Sequence, residues 1–229
     1  YLEWIRKEHP EFYELALGRL GKWKGHLTPE QEAARERARE NVFRPLFDQM
    51  QYVHMFPSPF PPEVHDTSYI TNLALNFMGR HIADRPDQPF VCQVSYVDPH
   101  DPYDPPEPYD TMFSPEELPE PLPAEWAEQG PRCLDAFNAL NCKVIREQNP
   151  GIFRKAKALY HGSIRFMDDQ IGRLIQFLEE HELVDRTVVL FTTDHGDLMG
   201  DHGFLAKGDV HYDGCIRVPL IAWGGGTRT

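Results

Sequence analysis

Positive charge is scarce in this chain. Its 229 residues carry 23 Lys and Arg against 36 Asp and Glu, a formal net charge of −13. A nucleic acid or an anionic membrane held by bulk electrostatics is therefore not expected as a partner. An anionic substrate would have to be met by local positive charge, a metal ion together with a lysine. Long hydrophobic runs are missing too: no apolar stretch approaches the ~18 residues of a membrane span, so no membrane partner is expected. No signal-peptide pattern is read in these residues, and since they begin Tyr1-Leu2-Glu3-Trp4 without Met this says nothing of a leader in the parent protein. Cysteine is sparse. Cys92, Cys133, Cys142 and Cys215 contain no Cys-x-x-Cys, which argues against a zinc ribbon. Cys133 and Cys142 could pair within a loop, but with so few cysteines free thiols are the simpler reading. There is no internal repeat.

What is present suits a globular core, with 41% hydrophobic and 12% aromatic residues. The first twenty residues are helix-prone and broken by Pro10. Thr28-Pro29-Glu30-Gln31 reads as a helix start, with a Thr cap, Pro at the first position and Gln at the capping-box position. The dense charge over 30–40 predicts a solvated helix. Four prolines in 55–62 exclude regular helix or central strand there. Asp66 or Thr67 then caps a helix with Ile70, Leu73, Ala74 and Phe77 on one face. Residues 90–97 (FVCQVSYV) predict a buried strand. Ten prolines from Pro99 to Pro131 make 98–131 a long irregular excursion, and loops of that length inside a domain tend to be functional. Residues 152–181 form the clearest helix, with Tyr160, Ile164, Met167, Ile171, Leu174 and Leu178 at spacings of three and four. Residues 187–193 (TVVLFTT) and 216–223 predict further strands. Strand, crossover helix and strand indicate an α/β sheet with helices on its faces.

The 187–193 strand stops at Asp194-His195-Gly196. Ligands bind at the carboxyl ends of strands in open α/β sheets, and Asp beside His offers a hard oxygen and a borderline nitrogen to a divalent metal. A turn in which Asp caps a backbone N–H is the alternative. Lys207 follows thirteen residues after Asp194, placed to reach an anion. His100 sits in Pro99-His100-Asp101-Pro102-Tyr103, just past the 90–97 strand. Imidazole suits proton transfer near neutrality, and flanking prolines fix the backbone that aims it.

These elements, taken in order, resemble the sulfatase family of the alkaline phosphatase superfamily. The match runs through Asp194-His195-Gly196, Gly200-Asp201-His202-Gly203, Lys207-Gly208, Tyr212-Asp213 and Arg217-Val218-Pro219-Leu220, with Pro99-His100-Asp101-Pro102 upstream. It covers most of the chain from about Pro57 to Trp223. The resemblance implies an alkaline phosphatase-like α/β fold, a mixed sheet with helices on both faces. Residues 1–229 would be the central and C-terminal part of such a catalytic domain. It implies Asp194 and His195 as metal ligands, with Ca2+ favoured by analogy and Mn2+ or Zn2+ allowed by His195. Lys207 would stabilise charge on the transferred group, and His100 would bind that group and protonate the leaving oxygen. His211 and Tyr212 would lie near the pocket mouth, where substrate contact and loop packing are both open readings. His202 would shape the loop, and Asp168-Asp169 would pack or solvate the long helix.

The family's nucleophile, a formylglycine made from Cys or Ser, and its Asp-Asp metal pair are expected upstream of Tyr1. None of the four cysteines lies in the family's Cys-x-Pro-x-Arg setting. Residues 21–26 (GKWKGH) resemble the family's Gly-Lys-Trp-His, but an inserted Lys-Gly breaks the match and it reads as coincidence. The implied reaction is metal-assisted hydrolysis of sulfate monoesters, on a small anionic ester, by the whole protein. This chain alone is expected to be inactive. Phosphonate monoester or phosphodiester hydrolysis on the same scaffold is the nearest alternative, and a truncated non-catalytic relative is another. Sugar sulfates, choline sulfate, aryl sulfates and phosphonates all remain open as substrates.

Overall fold

Pro10 splits the amino-terminal helical run because it has no N–H to continue the ladder. In the computed structural model, which describes residues 1–19, 27–43, 55–123, 147, 149, 151–204, 206–207 and 211–225, α1 is Leu2–Glu8 and α2 is Tyr13–Arg19, with a 3-10 turn at Pro10–Phe12 between them. Ile5 and Ala16 close on Phe60 and Val64 in one apolar cluster. α3 (Pro29–Ala38) begins with the expected capping box. Thr28 Oγ1 accepts the Gln31 N–H at 3.2 Å and Gln31 Oε1 accepts the Thr28 N–H at 2.8 Å.

α4 (Asp66–Asp84) is capped by His65, one residue before the expected Asp66 or Thr67. Its inward face also differs from expectation. Thr67, Ser68, Thr71, Ala74 and Met78 are buried, whereas Leu73 and Phe77 are exposed. The polar stripe can face inward because its hydroxyls find partners: Thr67 at Asp98 and Thr71 at the Tyr96 hydroxyl. α5 (Ile152–Glu180) matches its predicted span to within a residue. Phe153, Ala156, Leu159, Phe166 and Met167 are buried along it, and Met78 of α4 meets Leu178 and Leu183 at its far end.

The helix pair α4–α5 carries the extended segments. Phe90, Cys92 and Val189 pack into the same cluster over it. β1 (Val188–Thr192) pairs antiparallel with β2 (Leu220–Gly224), Leu190 opposite Ala222. Two expectations need correction. Residues 90–97 are extended but belong to no sheet among the described residues, and alternate residues are bare, Val91 at 92% exposure. β1 is likewise covered on one side only, with Leu190 67% exposed. An apolar run predicts burial on both faces, and here the helices cover just one. The described sheet is thus two antiparallel strands beside a layer of helices. The last strand also starts later than 216, because residues 213–216 coil into a short helix, α6 (Asp213–Ile216). Cys215 is buried there with Leu198 and Phe204, not on a strand.

The described part of the proline-rich excursion, up to 123, is irregular apart from 3-10 turns at Tyr109–Thr111 and Pro115–Glu117. It lies along α5. Tyr109 donates to Asp169 Oδ2 at 2.8 Å and its ring stands 5.0 Å from that of Phe166, so Asp169 serves packing. Its far end is latched to the Asp201–Gly203 turn: the Leu122 N–H donates to Asp201 Oδ1 and the His202 N–H to the Leu122 carbonyl, each at 3.0 Å. Cys133, Cys142 and the 21–26 segment lie outside the described residues. No helix among those described is long and apolar enough to cross a membrane.

The latch depends on Gly200. Its φ is +92°, and a Cβ there would stand 2.8 Å from Pro121 Cγ and 2.9 Å from Phe153 Cδ1. Gly200→Ala is therefore expected to destabilise the fold by about 1–3 kcal/mol, seen as a lower Tm in calorimetry; an unchanged Tm would contradict this packing.

Candidate active site

β1 delivers Asp194 and His195 to its carboxyl end. The Asp194 side chain is 84% exposed, and its Oδ2 lies 3.6 Å from His195 Nε2. The other ring nitrogen is committed locally: His195 Nδ1 is 2.8 Å from the Gly196 carbonyl. With Nδ1–H donated there, Nε2 keeps its lone pair, the arrangement in which a histidine binds a metal. Thr193 Oγ1 and the His195 N–H both donate to Asp194 Oδ1. Slight burial works against ionisation of Asp194, but His195 and these hydrogen bonds outweigh it and lower the pKa. An ionised carboxylate and a free imidazole nitrogen at this separation fit a shared divalent cation. Gly196 is needed for close approach: its N–H donates to the Cys215 carbonyl at 2.7 Å, and a Cβ would lie 2.0 Å from the Gly214 carbonyl oxygen.

His100 is exposed on the loop after 90–97. Its Nδ1 lies 2.7 Å from the Asp101 carbonyl and 3.1 Å from Asp101 Oδ1, which leaves Nε2 facing outward. The His100 loop and the loop after β1 are tied together three residues beyond His100 and two beyond His195: Tyr103 donates to Asp197 Oδ2 at 2.6 Å, while Asp197 Oδ1 accepts the Met199 N–H. Tyr103 is itself buried against Met55, Ala156 and Leu159, and burial followed by the Asp197 charge holds its phenol neutral far above the usual range. Lys207 and His211 are both exposed. Tyr212 stacks on His202 with ring centroids 4.1 Å apart and planes 11° from parallel, so His202 braces Tyr212 from its left-handed position (φ 56°).

A second charged group was not foreseen from sequence. Arg19, at the end of α2, is half-buried between Asp66 Oδ1 and Asp104 Oδ1, each 3.0 Å away. His65 Nδ1 lies 2.9 Å from Asp66 Oδ1, and Thr67 donates to Asp98 Oδ2 at 2.5 Å. His65, Asp98 and Asp104 offer ligand atoms mutually within 4.8 Å. However, the Arg19 guanidinium already supplies a cation to this cluster. These residues come from three distant segments and no local spacing joins them. The one local sign was Asp98 and Asp104 standing on either side of the Pro-His-Asp-Pro turn.

The comparisons agree with the motifs. The model of the Sulfatase family matches residues 18–229. An arylsulfatase of Clostridium perfringens is 38% identical over 167 residues, 73% of this chain and 34% of that protein. A multifunctional alkaline phosphatase superfamily protein of Trinickia caryophylli is 31% identical over 182 residues, 72% of this chain and 34% of its own length. Among solved structures, the phosphonate monoester hydrolase of Agrobacterium radiobacter superposes with a TM-score of 0.59 at 25% identity, covering 76% of this chain and 38% of that one. The chain belongs to the sulfatase family, and it spans about a third of the length of the curated relatives it matches.

The buried cluster gives stability a pH dependence with a definite sign. Burial, opposed by Arg19, raises the Asp104 pKa to about 7. His65 is also raised, because Asp66 and Asp98 outweigh the cost of its burial. Groups with raised folded pKa values favour the fold while protonated, so their contribution is lost as pH rises through neutrality. Asp66 is lowered, Arg19 and His65 outweighing its burial, and its contribution is lost in acid. Stability is expected to peak at about pH 4 and fall between about pH 4 and 7 as Asp104 ionises. Asp104→Asn should flatten that decline in Tm; an equally steep profile in the variant would rule out Asp104 as its source.

Proposed function

We propose that the protein to which this chain belongs hydrolyses sulfate monoesters with the help of a divalent metal. The observation that carries this is the Asp194–His195 pair, an ionised carboxylate and an imidazole with free Nε2 at the end of β1, in a chain of the sulfatase family. Asp194 and His195 would hold the ion, with Ca2+ favoured by the family and Mn2+ or Zn2+ compatible with the His ligand. The bound metal would polarise the nucleophile and the sulfuryl oxygens.

His100 fixes its ring by donating Nδ1–H to the Asp101 carbonyl. Its Nε2 is then the atom that carries a proton to the leaving oxygen, so the imidazolium is the working form. The exposed Lys207 ammonium stabilises charge on the transferred group. His211 and Tyr212 border the substrate, Tyr212 held by its stack on His202. A formylglycine nucleophile and further metal ligands come from outside this chain, which by itself does not turn over. An alkaline phosphatase-like mixed sheet with helices on both faces is supported by the bare outer sides of 90–97 and β1 and by the exposure of β2 on both faces: extended segments left this open call for more sheet and a second helix layer.

Phosphonate monoester hydrolysis is a second reading, favoured by the likeness to the Agrobacterium radiobacter enzyme. Assaying the whole protein on an aryl sulfate and an aryl phosphonate monoester separates the two. On the preferred substrate, Asp194→Ala and chelation should each abolish turnover, and Lys207→Ala should lower kcat/KM by about a hundred-fold or more. Full activity in Asp194→Ala would overturn the metal assignment, and a preference for the phosphonate would overturn the sulfatase reading.

A further inference from the structure

We infer that Thr67 and Arg19 are positioning residues for His100, clamping both ends of the segment that carries it; this rests on the role proposed for His100. Asp98 lies two residues before His100 and Asp104 four residues after it. Both carboxylates are buried, while the histidine between them is exposed. The Thr67 hydroxyl donates to Asp98 Oδ2 at 2.5 Å, and Arg19 meets Asp104 Oδ1 at 3.0 Å. The same guanidinium also grips Asp66, the residue before Thr67, at 3.0 Å. Both ends of the segment are thus referred to one point, the first turn of α4.

Among the described residues the His100 ring is bonded to Asp101, its own neighbour. A ring held by the next residue moves with its segment, so its place relative to the Asp194 loop is set where the segment is held. Buried charged groups are a costly way to hold a loop, since apolar packing of equal volume is often as stable. What they add is direction: a charge-assisted hydrogen bond is shorter and stronger than a neutral one and adds geometric specificity. Misplacing a catalytic group by about 1 Å can cost a hundred-fold in rate, which gives such a clamp a functional consequence.

The test uses the whole protein and sulfate esters whose leaving groups range from nitrophenol to simple alcohols. Thr67→Val keeps the side-chain shape and removes the hydroxyl; Thr67→Ser keeps the hydroxyl. If the clamp positions a general acid, Thr67→Val lowers kcat by about ten-fold or more on poor leaving groups. It changes nitrophenyl esters little, leaves KM nearly constant, and is rescued by Thr67→Ser. In a His100→Ala background it adds nothing. Arg19→Lys, which keeps the charge and loses one of the two grips, should show the same leaving-group dependence should the valine variant not fold. Equal losses for every leaving group, or additivity with His100→Ala, would overturn the inference. If His100→Ala itself shows no leaving-group dependence, the proposed role of His100 fails. The clamp is then judged by imidazole 15N spectra, in which Thr67→Val must shift the His100 nitrogens. Unchanged His100 nitrogens would overturn the clamp.

Discussion

Withdrawing a guanidinium from water costs several kcal/mol unless fixed partners replace its hydration, and in this protein Arg19 is largely withdrawn, with 15% of its side chain exposed, at a junction of three chain segments. It reaches Asp66 at the start of α4 and Asp104 beyond the His100 turn. Three carboxylates, one guanidinium and one imidazole lie together with little exposure to solvent, and each group sets the protonation of the others. Burial alone pushes Asp98 and Asp104 toward their neutral forms, and Arg19 and His65 pull the other way. Among the described residues His65 Nε2 and Asp104 Oδ2 have no hydrogen-bond partner, so within that set the cluster does not satisfy every member. Such a network tolerates little rearrangement, so it holds α2, α4 and the 98–104 segment in one arrangement.

From that fixed point the site is assembled through a short series of directed contacts. Tyr103 joins the His100 segment to Asp197 on the metal loop. Asp201, four residues further on, accepts from Leu122 and lies 3.5 Å from Lys157 Nζ, which fastens the proline-rich excursion over α5. His202 leaves that latch with its ring stacked on Tyr212. The glycine-rich stretch after Asp194 is therefore more than a flexible cradle: its carboxylates and backbone are the ties between elements that carry the candidate site.

The elements with strong local signals were legible in the sequence. The Thr28–Gln31 box, the Pro10 break, the long α5 and the β1 strand ending at Asp194 follow from caps, missing donors and hydrophobic period. Errors fell where local pattern underdetermines the environment. Residues 90–97 read as a strand buried on both sides, yet one side is bare. The apolar face of α4 was read as Ile70, Leu73, Ala74 and Phe77, of which Ala74 is buried while Leu73 and Phe77 are exposed, because apolar spacing cannot register that Thr67 and Thr71 have buried polar partners waiting. Residues 216–219 were read as strand although the chain first turns through α6 to bury Cys215.

The sequence by itself determined the family to which this chain belongs. Asp194-His195, His100 and Lys207 stand in motifs whose order and spacing mark the sulfatase family, because a motif is a run of particular side chains at particular points of the backbone and can be read without the fold. Only the tertiary structure decided how those points are held. The ties run between Arg19 and Asp104, Thr67 and Asp98, and Tyr103 and Asp197, pairs separated by 85, 31 and 94 positions. No local periodicity links residues so far apart; what selects them is the cost of leaving a buried charge or hydroxyl without a partner.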